Sequence, residues 1–302
     1  MSQNASRKIG ISFSLYGHTY GRYGADKYVK LKEQGYDAVD YNFANTEAAV
    51  YAMDEDALKT AMEAERIAAT RAGVLISQIH GPWRWPPRDG TDEQRAERME
   101  KMKRAVDIAA LLGCVHVVVH PIMPYGEEDL KADKAQETWE HNLTFFAALA
   151  DYAAARDVTI CVENMPMRHF SLATPERLLA FVKAVGHDGL KICLDTGHVA
   201  VFSDLTVGDE VRRLGGYIRT LHIHDNDGGS DSHAYPTQGV IDWSDFFAAL
   251  EEIGYDGVLS LETAPSGGYD DEQFAQESVR LNQLLRALAK QQERDQVKNV
   301  IL

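Results

Sequence analysis

The sequence predicts a single (β/α)8 TIM barrel of the α/β class, on three observations. Eight short β-branched runs recur along the 302 residues, one about every 38 residues, the length of one strand–helix unit. Amphipathic helical patterns fill the intervals. No glycine-rich dinucleotide fingerprint follows the first run, which counts against a doubly wound open sheet. No linker or break in composition divides the chain, so residues 1–302 read as one domain.

The runs occupy residues 8–13, 38–41, 74–79, 115–119, 158–162, 191–194, 218–223 and 258–261. Continuous apolar stretches such as VHVVV and TICV suit parallel strands covered on both faces. After the third run, Thr91 and Gln94 have the spacing of a capping box, and Met99, Met102, Val106 and Ala109 follow at helical spacing. Thr174 before Pro175 marks a second helix start, with proline in the first turn. Asp242 marks a third, with Phe246, Phe247 and Leu250 on its inner side. The last helix carries Phe274, Leu281, Leu284 and Leu288, then a charged stretch, residues 290–298, expected to fray.

Composition narrows the function classes. There are 46 acidic and 31 basic side chains, a net charge of −15, which disfavours non-specific attraction to nucleic acid or anionic membranes. No apolar run approaches the ~18 residues of a spanning helix. The start, MSQNASRKIGISFSL, lacks the long apolar region and cleavage site of a signal peptide, so a cytoplasmic protein is expected. Cys114, Cys161 and Cys193 are odd in number and sit in or beside β-runs. That pattern predicts reduced, buried thiols with no disulfide framework and no CxxC metal site.

The strongest chemical signal is positional. The third to eighth runs end on His80, His120, Glu163, Asp195, His224 and Glu262, with separations of 40, 43, 32, 29 and 38 residues. A barrel brings all its strand C-terminal ends to one mouth. One such residue alone is equally a half-buried strand end. Six in succession are hard to explain that way, because an unpaired buried carboxylate is costly. Imidazole nitrogens with carboxylate oxygens suit manganese, zinc, cobalt or iron. Asp231 and His233 form a DxH pair after the seventh run, equally readable as a polar turn. Trp83 and Trp85, in HGPWRWPPR, are available to line a small-molecule pocket or to pack. Arg84, Arg88 and Arg168, and backbone amides near Gly267 and Gly268, are candidate contacts for a phosphate.

With its VEN, LDTGH, HxHDND and final LET segments, the chain resembles the xylose-isomerase-like TIM barrels over nearly its whole length. That superfamily includes sugar phosphate isomerases and epimerases, ketohexose epimerases, inosose dehydratases and the endonuclease IV nucleases. The resemblance implies a metal site at Glu163, Asp195, His224 and Glu262, with manganese or zinc foremost and cobalt, iron or magnesium as alternatives. It makes His198 a substrate or second-metal contact and matches His80 and His120 to family histidines. In the ketohexose epimerases an arginine follows the metal histidine and holds substrate; here that stretch is DNDGGSDSH, so their substrate set does not carry over. Each position of the nucleases' nine-ligand pattern has a counterpart, with Asp231 and His233 completing it, but their DNA-gripping loops do not.

The expected function is therefore a metal-dependent isomerase or epimerase acting on a sugar, sugar phosphate or polyol by proton transfer through an enediolate. Glu163 and Glu262 are the expected catalytic carboxylates, and Trp83, Trp85 and Arg168 the expected substrate contacts. A dehydratase or lyase on a keto-polyol is the near alternative, and a phosphodiester hydrolase of the endonuclease IV kind the distant one. The expected partner is a small carbohydrate, with neither nucleic acid nor membrane; homo-oligomers are common among such barrels.

Overall fold

The computed structural model describes residues 7–13, 20–265 and 268–301. Its strands are β1 (Ile9–Ser12), β2 (Ala38–Asn42), β3 (Leu75–His80), β4 (His116–Val119), β5 (Thr159–Glu163), β6 (Leu190–Asp195), β7 (Ile218–His222) and β8 (Leu259–Leu261). Every neighbouring pair in the order β7-β6-β5-β4-β3-β2-β1-β8 is parallel. The sheet closes where Ile223 N donates to Ser260 O at 2.8 Å and Glu262 N donates to Ile223 O at 3.0 Å. Each of the eight runs expected from sequence contains its strand to within a residue or two. Among the described residues no helix is long and apolar enough to cross a membrane.

The helices that wrap the barrel are α1 (Lys27–Glu33), α2 (Glu55–Ala72), α3 (Asp92–Leu112), α4 (Ala135–Ala154), α5 (Pro175–Val185), α6 (Thr196–Ala200), α7 (Val207–Leu214), α8 (Trp243–Glu252) and α9 (Asp271–Ile301). Local chemistry sets their starts. Thr91 and Gln94 cap each other's backbone reciprocally at the head of α3. Thr174 and Asp242 each accept a backbone N–H two or three residues into α5 and α8. In α9, Phe274, Leu281 and Leu285 carry the burial, while Leu284 and Leu288 are only partly covered. Phe274 and Leu281 thus lie in the core as the sequence pattern suggests, Leu288 packs against it, and Leu285 joins them. The helix also runs to Ile301, through the charged stretch expected to fray. Glutamine, glutamate, arginine and lysine are good helix formers and carry it on.

Inside the barrel, Val118, Cys161 and Cys193 form a small apolar cluster. All three cysteines are free and buried, as expected, and burial pushes the Cys161 thiol up to about 12. The rest of this layer is polar: Ser12, Asp40, Gln78, Thr220, His222 and Ser260 are all buried. Barrel interiors are usually filled by branched aliphatic side chains, so a polar layer directly beneath the mouth has to answer to the mouth's chemistry.

At the opposite end, Asp37 ties α9 to the barrel. Its carboxylate accepts from Arg286 Nη2 at 2.6 Å and Ile9 N at 3.2 Å, and Lys32 lies at 3.1 Å. Burial pushes this carboxyl up, but Arg286, the Ile9 N–H and Lys32 outweigh it and hold it below its ordinary value. The resulting stabilisation is present above the unfolded pKa of about 4 and disappears as pH falls through the depressed folded value. Asp37→Asn should therefore destabilise by at most about 1 kcal/mol at pH 7, since the group is solvent-screened. Denaturant unfolding of both proteins should show that gap shrinking as the pH falls below about 4. A gap that is absent at pH 7, or that widens in acid, contradicts the assignment.

Candidate metal centre

Nine of the residues singled out from sequence meet at the mouth: His80, His120, Glu163, Asp195, His198, His224, Asp231, His233 and Glu262. All but Asp231 and His233 are buried. Eight of them fall into three linked groups, and Glu262 offers an oxygen within 4.8 Å of ligand atoms of His224 and His233. His120 Nε2 lies 3.0 Å and His80 Nε2 3.5 Å from Glu163 Oε2, and the two imidazoles approach each other to 3.1 Å. His224 Nε2 lies 3.0 Å from Asp195 Oδ1. Asp231 Oδ2 faces His198 Nε2 at 3.3 Å and His233 Nε2 at 3.4 Å, while Asp231 Oδ1 is 3.6 Å from His224 Nε2.

The tautomers follow from the backbone. His80, His198, His224 and His233 each set Nδ1 against a main-chain carbonyl: Gly81 at 2.8 Å, Asn164 at 2.6 Å, Asp225 at 3.4 Å and Glu262 at 2.8 Å. A carbonyl accepts only, so Nδ1 carries a proton and Nε2 is turned toward the carboxylates, where it takes either a second proton or a cation. Metal-bound histidines are oriented in this way. Glu163 Oε2 is fully buried with only the Nε2 atoms of His80 and His120 facing it, and His120 Nδ1 is buried without a hydrogen-bond partner. Lone pairs converging on ionised carboxylates repel unless protons or a cation sit between them, so this donor set fits divalent metal ions.

The non-ligand residues of the motifs hold the strand ends in place. Asn164 accepts from Asp195 N at 2.8 Å and donates to Asp195 O at 3.0 Å, locking β5 to β6. Thr196 does the same to His224, with contacts of 2.7 and 3.1 Å, locking β6 to β7. Asp195 also caps α6 by accepting from His198 N at 2.7 Å. A Cβ on Gly197 would stand 1.9 Å from the His224 ring, so only glycine admits the imidazole there. Buried Asp225 accepts from Asn226 N, Thr237 N and Trp243 Nε1, folding the loop that bears Asp231 and His233 back over the mouth. His233 has a left-handed backbone, φ 48°, held by its own Nδ1 contact and by Thr263 Oγ1 donating to its carbonyl at 2.6 Å.

Electrostatics reflect the crowding of acids. Against its burial, which raises it, His198 and His224 bring the Asp195 carboxyl down to about 2. Burial first, then Glu163 and Asp195, push Glu262 up to about 7 against the pull of His222 and His233. Burial lowers His120 to about 4.

The other expected residues are placed less centrally. Trp83 sets its ring edge-on to His120, centroids 4.8 Å apart, and so lines the mouth. Trp85 is half exposed and leans on Trp83 at 6.2 Å. Arg168 is exposed, with Nη2 3.4 Å from Gly228 O. Arg84 pairs with Glu97 at 3.1 Å, and Arg88 is exposed. Gly267 lies outside the described residues. Two residues were overlooked in the sequence, Asp40 and His222. One ligand atom each from Glu163, Asp195, His222 and Glu262 lies within 4.8 Å of the others. The signal for His222 was its place two residues before His224 in LHIHDND, since alternation along a strand puts both on the inner face.

A family model described as "Xylose isomerase-like TIM barrel" matches residues 29–287. The D-psicose 3-epimerase of Ruminiclostridium cellulolyticum is 29% identical over 197 residues, 63% of this chain and 64% of that protein. A probable endonuclease 4 of Mycobacterium marinum is 26% identical over 221 residues, 71% of this chain and 83% of that one. The crystal structure of a D-tagatose 3-epimerase-like protein superposes with a TM-score of 0.75 at 25% identity, covering 95% of this chain and 99% of the other. The matched stretch spans less than two thirds of three of the curated relatives, at 63%, 64% and 54% of their lengths.

The Gly197 contact gives a direct test of the cluster. Gly197→Ala should displace the His224 ring at an overpacking cost of about 1–3 kcal/mol and weaken divalent-cation binding measured by calorimetry. Unchanged cation affinity in a folded variant would show that the His224 position is immaterial to binding.

Proposed function

The chain belongs to the xylose isomerase-like TIM barrel family, and from that premise we propose that it is a divalent-metal-dependent carbohydrate isomerase or epimerase. The observation that carries this reading is the set of imidazoles whose Nδ1 atoms meet main-chain carbonyls while their Nε2 atoms face carboxylates. Glu163, Asp195, His224 and Glu262 would hold the first cation, with manganese or zinc the best fit to one nitrogen among carboxylate oxygens. When bound, the cation supplies Lewis acidity toward a carbonyl and its neighbouring hydroxyl.

The residues themselves do the rest. Glu163 ends β5 and Glu262 follows β8, so their carboxylates enter the mouth from separate directions with ligand oxygens within 4.8 Å. A sugar carbon between them presents one face to each. One carboxylate removes the proton beside the carbonyl, giving an enediolate, and the other returns it. Return to the opposite face epimerises that carbon; return to the neighbouring carbon interconverts aldose and ketose. Loss of a hydroxyl from the same enediolate would make the protein a dehydratase. His198 and His233 border the same space and can hydrogen-bond hydroxyls, and Trp83 offers an apolar wall. The substrate is a ketose or related polyol. Three buried, unpaired cysteines suit a reducing compartment such as the cytoplasm.

The second reading, a phosphodiester hydrolase, is favoured by one observation: His80, His120 and Glu163 form a further group whose ligand atoms lie within 4.8 Å of one another. The net charge of −15 opposes it. With the parent protein turning over a member of a ketose panel, Glu163→Gln and Glu262→Gln should each lower the rate at least ~10²-fold. Near-normal rates with metal retained would refute the carboxylate roles. Metal analysis with His233→Ala separates the two readings. A stoichiometry near one in parent and variant supports the isomerase. A fall from two or three, with incision of abasic-site duplex DNA, supports the hydrolase.

A further inference from the structure

We infer that Asp40 and His222 are positioning residues that fix the orientation of Glu163, an inference that rests on reading Glu163 as a cation ligand. Both lie one layer below the mouth and both are buried. His222 Nδ1 meets Glu163 Oε1 at 2.6 Å, and its Nε2 meets Asp40 Oδ2 at 2.9 Å. Gln78 Nε2 donates to the same Asp40 oxygen at 3.1 Å and sits 3.3 Å from Leu221 O. Side chains from β3, β2, β7 and β5 thereby form one chain across the barrel interior: Gln78 holds Asp40, Asp40 holds His222, and His222 holds Glu163.

The consequence lies in the two oxygens of Glu163. With Oε1 tied to His222, rotation about the terminal bond of the side chain is fixed. Oε2 is then directed at His80 and His120, whose Nε2 atoms lie 3.5 and 3.0 Å away. Oε1 keeps a second lone pair for the space shared with Asp195 and Glu262. Without the tie, the carboxylate would be free to turn and would reach either cation position only part of the time. Asp40 is the anchor because His222 must be held from behind, and the β2 register shift at Val39/Asp40 coincides with that carboxylate. Such supporting contacts are worth ~10–100-fold in metal affinity.

Manganese titration of the purified full-length chain, by calorimetry and by electron paramagnetic resonance of free Mn(II), tests the inference without any assay of turnover. His222→Ala should weaken Mn(II) binding ~10–100-fold. His222→Asn, whose amide N–H occupies the Nδ1 position, should recover most of that loss. The isosteric Asp40→Asn keeps the shape of the interior and should fall between the two; it serves as the test if the alanine variant does not fold. Parent-like affinity in Asp40→Asn, or no recovery in a folded His222→Asn, would overturn the positioning role and leave the proposed function standing. A parent protein that binds no divalent cation would overturn both.

Discussion

Asp40, Glu163, Asp195 and Glu262 are carboxylates removed from water within one end of a barrel, and the rest of the structure is arranged around that fact. Each such burial carries a penalty of several kcal/mol unless the charge is matched closely by a partner. The fold supplies partners in layers. Histidines face every carboxylate of this set, and main-chain carbonyls set the tautomers of four of those histidines. Threonine and asparagine side chains then lock the strand ends from which the acids project. Glu262 is pushed up to about 7 by its burial and its acidic neighbours. In the proposed function a divalent cation would complete the charge balance.

That constraint explains features which would otherwise be liabilities. Gly197 is the second residue of α6, where glycine is a poor helix former, yet any side chain there would collide with His224. His233 adopts a backbone that non-glycine residues seldom use, so that its ring stacks on His224 with centroids 4.0 Å apart and its Nε2 reaches Asp231. Asp225 is buried to no chemical end of its own; it gathers four backbone or indole N–H groups and holds the loop over the mouth. The polar barrel interior belongs to the same account, since Gln78, Asp40 and His222 support the acids above them.

Much of this was legible because strand ends of a barrel converge whatever their separation in sequence. His80, His120, Glu163, Asp195, His224 and Glu262 were found by their place after β-runs, and the structure brings all six together. Asp231 and His233, ambiguous as a polar turn, arrive through a loop whose path depends on Asp225. Less was legible where phase or depth decides. In α9, Leu285 is buried beside the expected Phe274 and Leu281, while Leu284 is only partly covered. Trp83 reaches His120 while Trp85, two residues on, faces solvent, because the Trp–Arg–Trp–Pro segment is irregular and obeys no period. Asp40 in AVDYN looked like an ordinary residue in a β-run. Its meaning needs the closed barrel, which sets β2 across the interior from β7.

The central claim is that these buried carboxylates move a proton on a carbohydrate when a divalent cation completes their charge balance. Incubation of the protein with a panel of ketoses and polyols in deuterated water, before and after chelation, tests it most directly. The account predicts deuterium at a carbon adjacent to the carbonyl of at least one ketose, lost on chelation and restored by manganese or zinc. Conversion of a ketose to an isomer with no solvent deuterium in the product, or exchange that persists undiminished in the chelated protein, would contradict it.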